Sequence, residues 1–313
     1  MLLCKPKRVA VILGPTATGK SALALALAQH LPTEIISGDS MLVYRGFNIG
    51  TAKPTAAELA QVPHHLIDIK EPTEKYSAAE FQTDAARLID EITDRNRLPV
   101  VVGGTGLYIK ALLEGYEFRP APPHEIYRRE LESVLAKDGT DELYRRLSVL
   151  DPHAAATVDR HNPRRLIRAL EAARFDDTSA RSPVAPNFSA TVIGLSLPRP
   201  LLYERINRRV DRMMAAGLAD ELKSLLAAGI PPNAPAMQGI GYKELLPYID
   251  GQTNPAAAVE AIKIATRHFA KRQLTWYKKM PYIRWLDANQ PIGLLTEELL
   301  DTLISPQKTE NQV

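Results

Sequence analysis

Hydrophobic and polar positions alternate in blocks along the chain, and each block predicts an element. Residues 7–13 (KRVAVIL) form a short, almost continuous apolar run, which predicts a buried strand. A glycine-rich turn follows, GPTATGKS, and then SALALALAQHL, which predicts a helix. EIIS at 34–37 predicts a second strand, and a loop-rich segment with three glycines, GDSMLVYRGFNIGTAKP, comes after it. Ser77 with Glu80 three residues on is a capping box that opens a helix running to about Arg95. LPVVVGGTGLYIKALLEG then repeats the plan of strand, glycine turn and helix.

After Gly115 the texture changes. A proline-rich stretch leads into helical sequence without strands through about Phe175, and DDTSARSPVAPNFS has the composition of a linker. Strand pattern returns at TVIGLSL, 191–197. Pro200 and Gly217 bound one long helix, Asn254-Pro255 opens another to about Met280, YIRWL predicts a last strand, and SPQKTENQV reads as a polar tail. Alternation of this kind predicts an α/β fold, a parallel sheet with helices on both faces, interrupted by an all-helical insertion; GPTATGKS, spelling Gly-x-x-x-x-Gly-Lys-Ser between the first strand and helix, makes the expected sheet P-loop NTPase-like. The expected division is 1–117 and 189–300 for the sheet domain, 118–188 for the insertion and 301–313 for a flexible tail.

Composition narrows the class. The chain has 313 residues, 45% hydrophobic and 24% charged, enough to bury a large core and too ordered in composition for a disordered chain. No run approaches the roughly 20 apolar residues of a spanning helix, and no leader pattern opens the sequence, so a cytoplasmic protein without membrane attachment is expected. One cysteine, Cys4, permits neither an internal disulfide nor a cysteine metal cluster. Net charge is only +3, but it is unevenly placed: Arg160 to Arg174 holds five arginines against one acid, and Pro255 to Arg284 seven Lys or Arg against one acid. Such blocks suit a polyphosphate backbone or, equally, solvated helix faces.

Candidate chemistry begins at Gly14, Pro15, Thr16, Ala17, Thr18, Gly19, Lys20 and Ser21, the pattern Gly-x-x-x-x-Gly-Lys-Ser in the strand-to-helix context that a phosphate loop requires. Its backbone amides would bind phosphate oxygens, Lys20 would neutralise them and the Ser21 hydroxyl would ligate Mg²⁺. No apolar strand ends in the aspartate that a nucleotide-hydrolysing motor uses to hold Mg²⁺; PVVVGGTG ends in glycine and threonine. Asp39, behind the second strand, is a metal ligand, a proton acceptor or a cap, and the residue by itself favours the cap. Arg205, Arg208, Arg209 and Arg212 share one helix face, backed by Ile206, Val210 and Met213; they either meet an anion or form a solvated face. Arg164, Arg165 and Arg168 form a second basic face, and Lys263, Arg267, Lys271 and Arg272 with Trp276 and Tyr277 a third, a mixture that suits single-stranded nucleic acid, although a tryptophan is more often core. The histidines show no zinc spacing.

Taken together, GPTATGKS, ISGDSMLVYRGFNIGTAKP, PHHLID, VVGGTGLY, NPRRLIRALE, RINRRVDRMMAAGL, GIGYKEL and AKRQLTWYKK resemble the bacterial tRNA dimethylallyltransferase family, in family order over nearly the whole chain. The resemblance implies that the loop holds the pyrophosphate of dimethylallyl diphosphate, with Lys20, Arg209 and Mg²⁺ on Ser21 stabilising the leaving group. It implies that Asp39 accepts the proton of an adenine amine, that Thr105 contacts a flipped-out adenine, and that the insertion grips a tRNA anticodon stem-loop. It assigns tRNA contacts to Asp39, Ser40, Met41, Leu42, Thr105, Tyr127, Arg164, Arg165, Leu166, Ile167, Arg168, Gln238, Gly239, Ile240, Gly241, Tyr242 and Lys243. A monomer is expected. Departures are few: Met41-Leu42 stands where the family often has a glutamine, and Gln238-Gly239 precedes IGYKE. The competing expectations are a small-molecule P-loop kinase, a prenyltransferase acting on free adenine nucleotides, and a non-catalytic RNA-binding module.

Overall fold

The computed structural model describes residues 7–118, 124–175 and 185–304. Cys4, residues 119–123 of the proline-rich stretch, residues 176–184 of the linker sequence and the tail from 305 lie outside it. By its internal contacts the chain divides into two compact units: Met1–Tyr116 with Val184–Val313, and Glu117–Pro183.

The first unit is built on six parallel strands: β1 (Lys7–Leu13), β2 (Thr33–Ser37), β3 (His64–His65), β4 (Leu98–Gly103), β5 (Phe188–Ser196) and β6 (Arg284–Asp287), in the spatial order β3-β2-β4-β1-β5-β6. The P-loop strand β1 is central, paired with β4 (Ala10 with Val100) and with β5 (Lys7 with Phe188). Alternation along β1 sends Ala10 and Ile12 to one face and Val9 and Val11 to the other, and all four are buried. Helices α1 (Lys20–Ala28) and α12 (Ile292–Ile304) cover the first face, packing Leu23, Leu27, Leu295 and Leu299 against Ile12, Val100 and Ile193. Helix α3 (Ala78–Asp94) carries the expected capping box, with Ser77 accepting from the Glu80 amide and the Glu80 carboxylate accepting from the Ser77 amide.

Between these come α2 (Ala56–Gln61) and α4 (Gly106–Glu114), and after β5 come α8 (Arg199–Ala215), α9 (Leu218–Ala227), α10 (Tyr242–Ile249) and α11 (Pro255–Tyr277). The last four enclose a second core in which Phe47, Val210, Leu222, Tyr242 and Ile262 meet. The long helices α8 and α11 were legible from their boundaries, and Asn254 caps α11 as its position predicts, accepting from the Ala257 amide. Helices α2, α9, α10 and α12 were not anticipated, and α12 continues the ordered core to Ile304 rather than ending at 300.

The second unit holds α5 (Glu125–Leu150, broken at Gly139), α6 (Pro152–Thr157) and α7 (Pro163–Phe175) around its own small core of Leu131, Leu143, Leu147, Leu166, Ile167 and Leu170. It contains no strand among its described residues.

Candidate active site

The P-loop spans the end of β1 and the start of α1. Ala17 and Gly19 take positive φ values of 66° and 92°, and the Thr18 hydroxyl donates to the Pro15 carbonyl at 2.8 Å, closing the loop on itself. Lys20 Nζ donates to the same carbonyl at 2.8 Å, which keeps the ammonium over the loop. Burial, with the positive Arg209 nearby, pushes the Lys20 ammonium down to about 7, and the negative Asp39 pulls the other way. Ser21 follows at the first turn of α1 and is exposed.

Asp39 is brought to this loop by an unusually close approach of strand ends. Gly38 donates to the Val102 carbonyl at 2.8 Å, and a Cβ on Gly103 would stand 2.2 Å from the Gly38 oxygen, so only glycine permits the contact. The turn after β4 then reaches back: the Thr105 amide donates to the Gly38 carbonyl at 3.2 Å, and the Thr105 hydroxyl accepts from the Ser40 amide at 3.0 Å. Asp39 Oδ1 accepts from the Met41 amide at 2.8 Å, an Asx-type cap. The cap suggested by the residue alone therefore exists, and Asp39 nevertheless faces the cleft.

That cleft is a cavity of about 300 Å³ in the first unit. Its lining includes the polar or charged Thr16, Asp39, Ser40 and Arg209, the apolar Val210, Met213, Ile262 and Phe269, and Gln238 to Lys243 with Arg272. Arg209 is part-buried, and burial and Arg212 push its guanidinium down while Asp39 opposes them. Asp39, Arg209 and Thr16 of the phosphate loop line the cleft, and Lys20, on the same loop, lies near enough to feel the charges of both Arg209 and Asp39. A region of this kind attracts a polyanion and offers an adjacent proton acceptor.

The structure separates residues that the sequence grouped. The four arginines of α8 do not converge on one ligand: Arg205 Nη1 donates to the Ala288 carbonyl at 3.2 Å, Arg208 pairs with Glu204 one turn earlier, and Arg209 is the one that enters the cleft beside Asp39. On α11, Lys263 pairs with Asp211 at 2.6 Å and Arg267 with Glu260 and Asn207 at 2.9 Å, so Lys271 and Arg272 carry that helix's outward charge. Tyr242 is fully buried, its hydroxyl donating to Glu221 Oε1 at 2.6 Å and accepting from the Gly50 amide at 3.1 Å. Its assigned tRNA contact is therefore limited to the wall it forms. Leu42 lines a small separate hollow with Ser21, Ser37 and His64.

In the second unit, Arg164, Arg165 and Arg168 are exposed on α7, whereas Leu166 and Ile167 are buried in the core beneath them, so those two side chains cannot reach RNA. Tyr127 is half-buried, with the Arg174 guanidinium 4.6 Å over its ring.

Two groups that shape the site went unnoticed in the sequence. Glu221, at the start of α9, accepts from the amides of Asn48, Ile49 and Gly50 at 3.1, 2.9 and 3.4 Å and so shapes the loop that leads into the cleft. Gln273 of α11 is buried against the P-loop. A glutamine in the apolar phase of α11, between buried Ala270 and Tyr277, was the signal available for it. Among the described residues no group of three or more His, Cys, Asp or Glu could hold a metal, and no helix is long and apolar enough to cross a membrane.

Residues 42–280 match the family model described as IPP transferase. The chain is 47% identical over 286 residues to the tRNA dimethylallyltransferase of Geobacillus kaustophilus, covering 90% of each. It superposes on the crystal structure of the full-length tRNA isopentenylpyrophosphate transferase from Bacillus halodurans with a TM-score of 0.71 at 43% identity, covering 95% of this chain and 97% of that one. It also matches a eukaryotic dimethylallyltransferase acting on tRNA, with a TM-score of 0.74 at 30% identity over 90% of this chain and 74% of that one. On a match that spans most of its length and on relatives this similar, the chain belongs to the IPP transferase family.

Proposed function

We infer that the protein transfers the dimethylallyl group of dimethylallyl diphosphate to the exocyclic amine of the adenosine on the 3′ side of the anticodon in tRNA, releasing pyrophosphate. The observation that carries this reading is that Asp39 and Arg209 line one cleft while Lys20 of the phosphate loop lies within reach of both their charges, in a chain of this family. The diphosphate would lie on the amides from Ala17 to Ser21, with Lys20 and Arg209 against its charge, and the five-carbon group would rest on Val210, Met213, Ile262 and Phe269. In the transfer the allylic C–O bond breaks, its electron pair leaves with pyrophosphate, the amine nitrogen bonds to the freed carbon, and the amine proton passes to Asp39. Oδ1 being engaged with Met41, the other carboxylate oxygen would take it. Lys20 and Arg209 matter most as charge builds on the leaving group.

The donors present would suit Mg²⁺ bound together with the diphosphate: Ser21 offers one hydroxyl, and among the described residues no group of three or more acidic, His or Cys side chains forms a cage, which suits an ion that keeps waters and shares substrate phosphates. When bound it would add positive charge at the leaving group. The adenine must leave its stack to reach Asp39, and Thr105, fixed against Ser40, is placed in this reading to meet it. Arg164, Arg165 and Arg168 would meet tRNA phosphates, and the protein would act as a monomer in the cytoplasm, where its tRNA is.

The test is pyrophosphate release from purified protein mixed with dimethylallyl diphosphate and unmodified tRNA. Release should require both. ADP formation from ATP would support a kinase-like activity, pyrophosphate release with free adenine nucleotides in place of tRNA a different acceptor, and tRNA binding without release a non-catalytic module.

A further inference from the structure

Gln273 is 4% exposed, and its amide has both ends engaged. Oε1 accepts from the Thr16 amide at 3.0 Å, and Nε2 donates to the Gly104 carbonyl at 2.8 Å. The fit leaves no slack, since a Cβ on Gly104 would stand 2.4 Å from that nitrogen. Thr16 belongs to the loop read above as the diphosphate cradle. Gly104 precedes Thr105, whose hydroxyl holds the Ser40 amide next to Asp39. One side chain from the C-terminal half therefore joins the cradle to the turn that sets the proton acceptor. It also occupies the Thr16 amide, which leaves the amides from Ala17 onward for an anion.

We propose that Gln273 is a positioning residue for transfer: it fixes the separation between the diphosphate loop and the Asp39 carboxylate. The proposal rests on the functional reading above. Transfer needs carbon, nitrogen and carboxylate held in line, and a displacement of about 1 Å can lower a rate by roughly 100-fold. Losing the amide would also strand a buried N–H and a buried carbonyl, whose relief is a shift of the loop.

The test uses the full chain with Gln273→Met, of similar volume and without hydrogen bonds, and Gln273→Glu. Gln273→Met should lower turnover at saturating substrates by roughly 10- to 100-fold while tRNA affinity stays at the wild-type value. Gln273→Glu carries a built-in control. Its protonated acid restores both bonds, the carbonyl oxygen accepting from Thr16 and the O–H donating to Gly104, whereas the carboxylate cannot donate. The ratio of Gln273→Glu to wild-type turnover should therefore rise as pH is lowered, whereas the ratio of Gln273→Met to wild type should stay flat; Lys20, Asp39, Arg209 and Tyr277 are present in all three proteins. Wild-type turnover in Gln273→Met, or a flat Gln273→Glu ratio with losses matched by lowered melting temperatures, would overturn the proposal. If the wild type itself releases no pyrophosphate, the functional reading fails instead, and hydrogen exchange at the Thr16 amide decides the latch: faster exchange in Gln273→Met supports it, and an unchanged rate removes it.

Discussion

Asp39 uses one carboxylate oxygen to cap Met41 while facing the cleft beside Arg209, and this double use makes its substitution informative. Asparagine keeps an oxygen for the Met41 amide and loses the capacity to take a proton. Asp39→Asn should therefore lower turnover by roughly two to four orders of magnitude with pyrophosphate affinity nearly unchanged, measured by steady-state kinetics and calorimetry. Wild-type turnover would reduce Asp39 to its cap. Arg209 and Arg165 form a contrasting pair: the first lies in the cleft, and the second is exposed on α7. Arg209→Ala should reduce turnover more than tRNA affinity, since it removes an interaction that strengthens as charge reaches the leaving group, and Arg165→Ala should do the reverse. Identical effects of the two variants, read in the same pair of assays, would erase the distinction.

At the level of elements, β2 ends near the site and begins at a charged cluster. Glu34, on β2 and 4% exposed, receives Arg95 through two hydrogen bonds of 3.0 and 2.7 Å, with His65 Nε2 at 2.7 Å and Arg97 Nε at 3.3 Å. The Arg95 hydrogen bonds hold its carboxyl below the usual range, burial opposes them, and His65 adds to the lowering. A carboxyl lowered by folding stabilises the native state fully above its unfolded value, and the contribution disappears as pH falls through the folded value. Glu34→Gln should thus cost about 1–2 kcal/mol at neutral pH, discounted for the exposure of Arg95, and should flatten the fall of melting temperature on acidification below pH 5. A variant whose acid limb parallels the wild type would show that Glu34 contributes nothing there. The same scale explains what the sequence disclosed. Strands β1, β4 and β5 and the caps at Ser77 and Asn254 rest on neighbours within a few positions, and local pattern revealed them. Glu221 with Gly50 and Gln273 with Thr16 join residues 171 and 257 positions apart, and no periodicity records such pairs. The four arginines of α8 looked equivalent because helical spacing knows their angle and not their neighbours.

For the whole molecule, the division into two units makes a deletion experiment meaningful. Replacing Glu117–Pro183 by a short flexible linker removes a core, that of Leu131, Leu147 and Leu166, which the sheet unit does not share. The remaining unit should fold and still bind pyrophosphate, whereas tRNA affinity should fall and its salt dependence become shallower, each lost phosphate contact reducing the log–log slope by about one. An unchanged slope in filter binding across a salt series would move the RNA grip to Lys271 and Arg272. The change of texture after Gly115 predicts an insertion over 118–188, and the second compact unit spans Glu117–Pro183. The functional family was legible from eight motif blocks, whereas the commitment of Tyr242 to Glu221 and the burial of Leu166 and Ile167 required three dimensions.

The central place of β1 also has a consequence for how the protein is made. Its first neighbour, β4, is synthesised by Gly103, but its second, β5, ends at Ser196, and the amide that pins Thr16 belongs to residue 273. At translation speeds of about 5–20 residues per second, the roughly 170 residues between Gly103 and Gln273 take about ten to thirty seconds to emerge. Throughout that interval the nascent phosphate loop lacks its last support, and β1 presents one unpaired edge until β5 arrives. Ribosomes that stall before Gln273 would release chains with the complete motif in sequence and no competent loop, a window in which a chaperone that shields strand edges would find its client.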